Sequence, residues 1–244
     1  MWLGEAITDL TRFIWEEFCI FCETPGGFVC GDCEPALPFV RESYCAICGR
    51  PFPTVGVYAV SIPVHPCGHC LKERPVYDKH RALMSFEGVA RDLVHNLKYK
   101  GGFWIRKFYA DHLDRLKGEF SDTDMIVPIP LHRTRLVSRG FNQSAVLAGA
   151  WREVLRKPLS LSALSRQIDT VTQTGLTRQQ RGANLKGAFQ VGKADQIIGK
   201  KILLVDDVHT TGATLNAASR VLKKAGAAVV FATSLAVVPL QNEA

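Results

Sequence analysis

All eight cysteines of this 244-residue chain fall before residue 71, in four Cys-x-x-Cys pairs: Cys19/Cys22, Cys30/Cys33, Cys45/Cys48 and Cys67/Cys70. Thiolates at this spacing supply two ligands to one tetrahedral metal, so four pairs fill two zinc sites. Between them stand chain breakers such as Pro25-Gly26-Gly27 and Pro51-Phe52-Pro53. A segment this short and loop-rich does not build its own apolar core and needs a staple. Cys45-Ala46-Ile47-Cys48-Gly49 and Cys67-Gly68-His69-Cys70 read as two zinc-ribbon knuckles sharing one site, which leaves Cys19/Cys22 to join Cys30/Cys33. Spacing alone leaves open an interleaved arrangement, disulfides and an iron–sulfur cluster. His65 and His69 stand close by, but the cysteine count closes without them. Four thiolates leave no open coordination position, so these zinc ions are expected to be structural.

The charge is as uneven as the cysteines. Residues 1–78 carry 5 basic and 10 acidic groups; residues 79–244 carry 25 and 13, so the net +7 is a −5 segment followed by a +12 one. A basic main domain draws in a phosphorylated ligand or nucleic acid through its summed field. No stretch reaches the ~18 uninterrupted apolar residues of a membrane span. Residues 1–18 are not a secretory signal, because Glu5, Asp9, Glu16 and Glu17 stand where a basic start belongs. Leu3, Ile7, Leu10, Ile14 and Phe18 instead predict a short amphipathic helix. Without an export signal the chain is expected in the cytoplasm, where thiols stay reduced. The expected division is therefore a helix over 1–18, a cysteine-rich zinc module over 19–78 and a main domain over 79–244.

From Lys79 onward, helical and strand patterns alternate. Val89, Leu93, Val94 and Leu97 form one helical stripe, and Ile105, Phe108, Leu113 and Leu116 a looser one. Asp124 to Val127 reads as a buried strand, Asn142 to Arg156 as a helix, Lys201 to Val205 as a strand, Thr214 to Lys224 as a helix before Gly226, and Val229 to Val238 as a last strand. Such alternation predicts an open, mainly parallel α/β sheet flanked by helices.

Asp206-Asp207-Val208-His209-Thr210-Thr211-Gly212-Ala213-Thr214 carries the most chemistry. A buried strand leads to two carboxylates, then a small-residue loop opens a helix. In an open α/β sheet the ligand lies outside the carboxyl ends of the strands. Backbone N–H groups of such a loop, with the helix N-terminus, converge on an anion. Two carboxylates beside a phosphate make sense as acceptors from sugar hydroxyls, which makes the deduced ligand a ribose 5-phosphate. A P-loop is excluded by the missing Gly-Lys-[Ser/Thr] ending.

These residues resemble the phosphoribosyl diphosphate signature of type I phosphoribosyltransferases. The wider chain, from Cys19 to Val238, resembles the ComF/GntX family of amidophosphoribosyltransferase-like proteins. Beyond the signature, the resemblance rests on Leu97-Lys98-Tyr99-Lys100-Gly101, on Pro128-Ile129-Pro130-Leu131-His132-Arg133 with Arg139-Gly140-Phe141-Asn142-Gln143-Ser144, and on Thr172-Gln173, Leu176-Thr177-Arg178 and Arg181-Gly182-Ala183-Asn184. His209 departs from it mildly, since the family often holds Tyr or another residue there.

The resemblance implies a type I phosphoribosyltransferase-like sheet behind a small zinc-ribbon-like module. It implies transfer of ribose 5-phosphate from phosphoribosyl diphosphate to an acceptor that no residue identifies, with Mg²⁺ riding on the diphosphate. Asp206 and Asp207 would hold the ribose hydroxyls. Pro130, Leu131, His132 and Arg133, with Arg135 and Arg139, look like the diphosphate loop. Thr172 to Asn184 resembles the loop that closes over the substrate, with Arg178 and Arg181 neutralising the departing diphosphate. The family also implies a role in natural competence, in uptake or processing of transforming single-stranded DNA, with competence or DNA-processing proteins as partners. A non-enzymatic DNA-handling or nucleotide-sensing protein that reuses the fold is the alternative.

Overall fold

The structure, a computed structural model, describes residues 18–25, 27–41, 43–53, 64–99, 103–169 and 187–240. The helix expected over 1–18 lies outside them apart from Phe18, which bridges to Pro25. The segment Thr172 to Asn184, with Arg178 and Arg181, also lies outside them. The chain divides into two compact units, one ending at Leu37 and one starting at Pro38. Compactness therefore cuts the chain well before the change in composition at residue 78, and the second cysteine group shares a unit with the sheet.

The first unit is built of tight turns. Cys19 N–H donates to the Thr24 carbonyl at 2.9 Å and Glu23 N–H to the Cys19 carbonyl at 2.9 Å. A single 3₁₀ turn, Glu34–Ala36, follows the last cysteine.

The larger unit is a four-stranded parallel sheet. Its strands are β1 (Lys79–Ser85), β2 (Met125–Pro128), β5 (Lys201–His209) and β6 (Val229–Val237), in the order β1-β6-β5-β2. The chain order is completed by α1 (Gly68–Lys72), α2 (Val89–Tyr99), α3 (Phe103–His112), α4 (Asp114–Lys117), α5 (Arg133–Arg139), α6 (Gln143–Leu155) and α7 (Ala213–Lys224). A two-stranded antiparallel ribbon, β3 (Leu164–Arg166) with β4 (Phe189–Val191), flanks the sheet.

Strands buried on both faces read as continuous apolar runs, and β5 and β6 do so. Ile202 and Leu204 of β5 face one core with Val127, Ile129, Phe189, Leu215 and Leu222. On another face α6 packs against β2, β5 and α3. There Trp151 is fully buried and donates to Tyr109 Oη at 3.1 Å. Each such large side chain contributes about 1.5–3 kcal/mol by leaving water. Asn142 caps α6 through its side-chain oxygen, and Arg156 closes it in the left-handed region.

Two expectations change. β5 does not stop at Val205. Because β6 runs to Val237, pairing continues through Asp206↔Ser234, Val208↔Ala236 and His209↔Val237. The acidic pair lies within a strand, and the turn is only Thr210 to Gly212. The basic segment after β2 is not a loop throughout: Arg133–Arg139 is helix α5, capped by His132 and ended by left-handed Gly140.

Candidate functional site

Pro128 pairs with Val205, so the carboxyl end of β2 lies beside β5 one residue before the acidic pair. Ile129 N–H donates to the Val205 carbonyl at 2.9 Å, and Asn142 Nδ2 donates to the Ile129 carbonyl at 3.0 Å. These bonds tie the Pro130-Leu131-His132-Arg133 turn to the start of α6, beside the acidic pair. Arg133 is exposed. Arg135 and His132 face Asp169, at 3.3 and 3.6 Å.

Asp206 and Asp207 are both buried but differ in surroundings. Asp206 Oδ1 accepts from Ser144 Oγ at 3.1 Å and from the Asp207 N–H at 2.9 Å. Burial pushes its pKa up to about 8, the neighbouring Asp207 carboxylate adds to the rise, and those two donors oppose it. Asp207 Oδ2 meets Lys98 Nζ at 2.8 Å, while its Oδ1 accepts from the Val208 N–H at 2.9 Å. One carboxyl thus rests on neutral donors and the other on a cation. Together they form a polar floor able to accept from two adjacent hydroxyls.

The turn that follows leads into the N-terminus of α7. Gly212 caps α7 at φ +79°, where a Cβ would stand 2.9 Å from His209 Nε2, so both conformation and space require glycine. The helix has no side-chain N-cap bond. Val208 and His209 belong to β5, and Thr210, Thr211 and Gly212 form the turn before Ala213 and Thr214 open α7. His209 is buried and hydrogen-bonded to Tyr77 Oη at 2.9 Å.

The cysteines gather into two quartets, Cys19/Cys22/Cys30/Cys33 and Cys45/Cys48/Cys67/Cys70, each with ligand atoms within 4.8 Å of one another. Zn–S bonds of about 2.3 Å in a tetrahedron place sulfurs about 3.8 Å apart, which the quartets match. Cys48 Sγ and Cys67 Sγ are 3.9 Å apart, and Cys22 Sγ and Cys30 Sγ 3.5 Å. In the second quartet the N–H groups of Cys48 and Cys67 point at Cys45 Sγ at 3.4 and 3.2 Å. The neighbouring Cys48 and Cys70 thiols and these N–H groups hold Cys45 far below the usual thiol range. Four thiolates this close repel one another unless a cation sits among them, so the residues fit structural zinc. None of the eight is in a disulfide.

Sequence reasoning did not assign roles to Lys98, Ser144, Tyr77 or Arg50. Lys98 and Ser144 lie in segments that carried the family resemblance, which was the available signal. Their partners are 109 and 62 positions away in sequence for Asp207 and Asp206 respectively, and no local pattern reports such a contact. Among the described residues, no helix is long and apolar enough to cross a membrane.

Comparison with known proteins agrees with this geometry. Residues 143–239 match the phosphoribosyl transferase domain family, and residues 10–72 the double zinc ribbon domain family. Competence protein F of Haemophilus influenzae is 30% identical, over 82% of this chain and 92% of its own length. Competence protein ComFC of Streptococcus pneumoniae is 29% identical over 85% of this chain and 86% of its own. DNA utilization protein YhgH of Escherichia coli is 30% identical over 83% and 93%.

Proposed function

This chain belongs to the ComF/GntX family, and from that premise we propose that it binds phosphoribosyl diphosphate and transfers its ribose 5-phosphate to an acceptor, releasing diphosphate. The observation that carries this reading is the buried Asp206–Asp207 pair leading directly into the Thr210-Thr211-Gly212 turn and the N-terminus of α7. The turn and helix start hold the 5-phosphate, and the two carboxyls accept from the ribose hydroxyls. The Pro130–Arg133 turn takes the diphosphate. Mg²⁺ bound to the diphosphate oxygens would neutralise charge on the leaving group. In the transfer, the bond from ribose C1 to the diphosphate oxygen breaks with its electron pair leaving on diphosphate. The acceptor bonds to C1 and gives up its proton. Arg178 and Arg181 are assigned to the departing diphosphate. We place the reaction in the cytoplasm, because eight free thiols need a reducing compartment.

A second reading is favoured by the competence and DNA-utilization names of the relatives, together with the +12 charge of residues 79–244. It is a protein that handles single-stranded DNA or senses nucleotides without turnover.

One set of titrations separates the two. Phosphoribosyl diphosphate with Mg²⁺ is titrated into the parent, Asp206→Asn and Asp207→Asn, followed by a diphosphate-release assay with candidate acceptors and with single-stranded DNA. Asp207→Asn should lose about ten- to a hundredfold in affinity, the worth of one charge-assisted hydrogen bond of about 1.5–3 kcal/mol. Asp206→Asn, which replaces a carboxyl that keeps its proton to about pH 8, should lose less, about the worth of one neutral hydrogen bond. Release of diphosphate that disappears with binding supports the enzyme. Binding without release under any acceptor supports the sensor. Asn variants that bind as well as the parent overturn the ribose site.

A further inference from the structure

Residues flanking the second cysteine quartet contact the phosphate turn and the helix after it, and the Cys-x-x-Cys motif gives no reason for that. Three contacts join the two. Arg50, two residues beyond Cys48, places Nη2 on the Thr210 carbonyl. Tyr77, beyond the last knuckle, bonds His209 at 2.9 Å. Val76 N–H donates to Asn216 Oδ1 on the first turns of α7 at 2.7 Å. The knuckle is in turn fixed to the sheet. His80 N–H donates to the Ile47 carbonyl at 2.8 Å, His80 Nδ1 to the Cys48 carbonyl at 2.8 Å, and Arg81 Nη1 to the Ala46 carbonyl at 3.0 Å. Gly49, at φ +65°, lies so close to β1 that a Cβ would stand 2.5 Å from the His80 carbonyl oxygen.

We propose that Arg50 is a positioning residue for the phosphate turn, held in place by the metal-bound Cys45/Cys48/Cys67/Cys70 knuckles, so that metal in this quartet governs affinity for the sugar phosphate. The proposal rests on the phosphoribosyl reading of the turn. Its physical basis is the planar trans peptide, in which a carbonyl and the following N–H point in opposite directions. Anchoring the Thr210 carbonyl to the guanidinium aims the Thr211 N–H to the other side of the turn, as an anion donor. A cation on the carbonyl also polarises the peptide and strengthens that donor. A cavity of about 60 Å³, lined among others by Arg50, Tyr77, His209, Thr211 and Asn216, lies between the knuckle and the turn. Freed of Arg50, the turn has room to relax into it, since one water occupies about 30 Å³.

The test compares the parent, Arg50→Met and Arg50→Lys by amide hydrogen exchange without ligand and by titration with phosphoribosyl diphosphate and Mg²⁺. Arg50→Met should speed exchange of the 209–214 amides while β5 and β6 residues 202–205 and 230–233 keep the parent's protection. It should weaken binding about tenfold. Arg50→Lys, which keeps the charge and one donor, should recover part of both effects. Stripping the metal with a chelator should speed exchange at 209–214 in the parent by more than any general rise at 202–205 and 230–233, and add little to that difference in Arg50→Met. Should Arg50→Met fail to fold, the stripped parent carries the test: 209–214 amides that stay protected there overturn the proposal. So does Arg50→Met exchange unchanged from the parent. A parent that binds no phosphoribosyl diphosphate defeats the substrate assignment alone, because the exchange arms need no ligand.

Discussion

The two cysteine quartets have the same ligands, the same Cys-x-x-Cys pairs and similar sulfur geometry, yet they belong to the molecule in different ways. In the first, Cys22 is exposed and Cys33 only partly buried, and the quartet lies in a unit of tight turns ending at Leu37. In the second, all four cysteines are buried and share a small apolar cluster with Ile47, backed by Phe52 and Leu240. That cluster sits in the same unit as the parallel sheet, with backbone bonds to β1 and a side chain on the phosphate turn. A metal-binding motif therefore says where a staple is, and its surroundings decide what the staple holds. The first quartet orders its own turns. The second is part of the architecture of the phosphoribosyl domain.

The sharpest way to break this contrast is to remove one ligand from each quartet. Cys45→Ser should reduce zinc from two ions per chain to one and lower the stability of the main unit by about 4 kcal/mol or more, because site assembly and folding are one equilibrium. Cys22→Ser should also lose one zinc but leave thermal unfolding of the main unit where it was. Metal analysis with calorimetry measures both. Equal loss of main-unit stability in the two variants would erase the distinction, and a parent with iron or with well under one zinc would remove its premise.

A smaller effect is expected from glycines next to the cysteines. Gly49→Ala places a Cβ against the His80 carbonyl in a left-handed backbone, which should cost about 2–4 kcal/mol. Gly31 follows Cys30 in the first quartet, has no positive φ, and an added Cβ would meet nothing within 4 Å. Gly31→Ala should therefore be nearly neutral. Chemical denaturation of both variants checks the difference. A neutral Gly49→Ala would mean that the knuckle does not need its close seat on β1.

A pH dependence confined to the larger unit is the third expectation. Folded Asp206 titrates at about 8, whereas an unfolded aspartate titrates near its usual 3.8. The folded state keeps a proton that the unfolded chain has already released. Its contribution to stability is therefore complete below about pH 4 and is lost as pH rises through about 8. The unfolding temperature of the ligand-free parent should fall from about pH 5 to about pH 8 more steeply than that of Asp206→Asn. Parallel curves would mean that Asp206 ionises in the fold as it does in solution.

Much of this protein was legible in one dimension, and the parts that were share a cause. Four Cys-x-x-Cys pairs predict two quartets because ligand spacing is local, and the structure groups them as Cys19/Cys22/Cys30/Cys33 and Cys45/Cys48/Cys67/Cys70. The stripe Val89, Leu93, Val94 and Leu97 predicts α2, and Asn142 and Arg156 bound α6, because helix periodicity and caps are written within a few residues. The apolar run Ile202 to Val205 before a Thr/Gly turn predicts a strand leading into helix α7 for the same reason. What the sequence did not reveal depends on contacts between distant positions. β5 runs on to His209 because β6 is long enough to pair with it, so the acidic pair sits in a strand. Asp206 is raised because folding buries it beside Asp207, against the opposing Ser144 donor on α6, and Asp207 is paired because α2 brings Lys98 to it. Arg50 meets Thr210 across 160 positions of chain. By itself the sequence determined the four metal-ligand pairs, the parallel α/β class and the strand-turn-helix after Ile202, since each is encoded by spacing over a few residues. Only the tertiary structure decided which charge each carboxyl sees and which quartet supports the turn, because electrostatics and hydrogen bonds depend on distance in space, and folding sets that distance independently of separation along the chain.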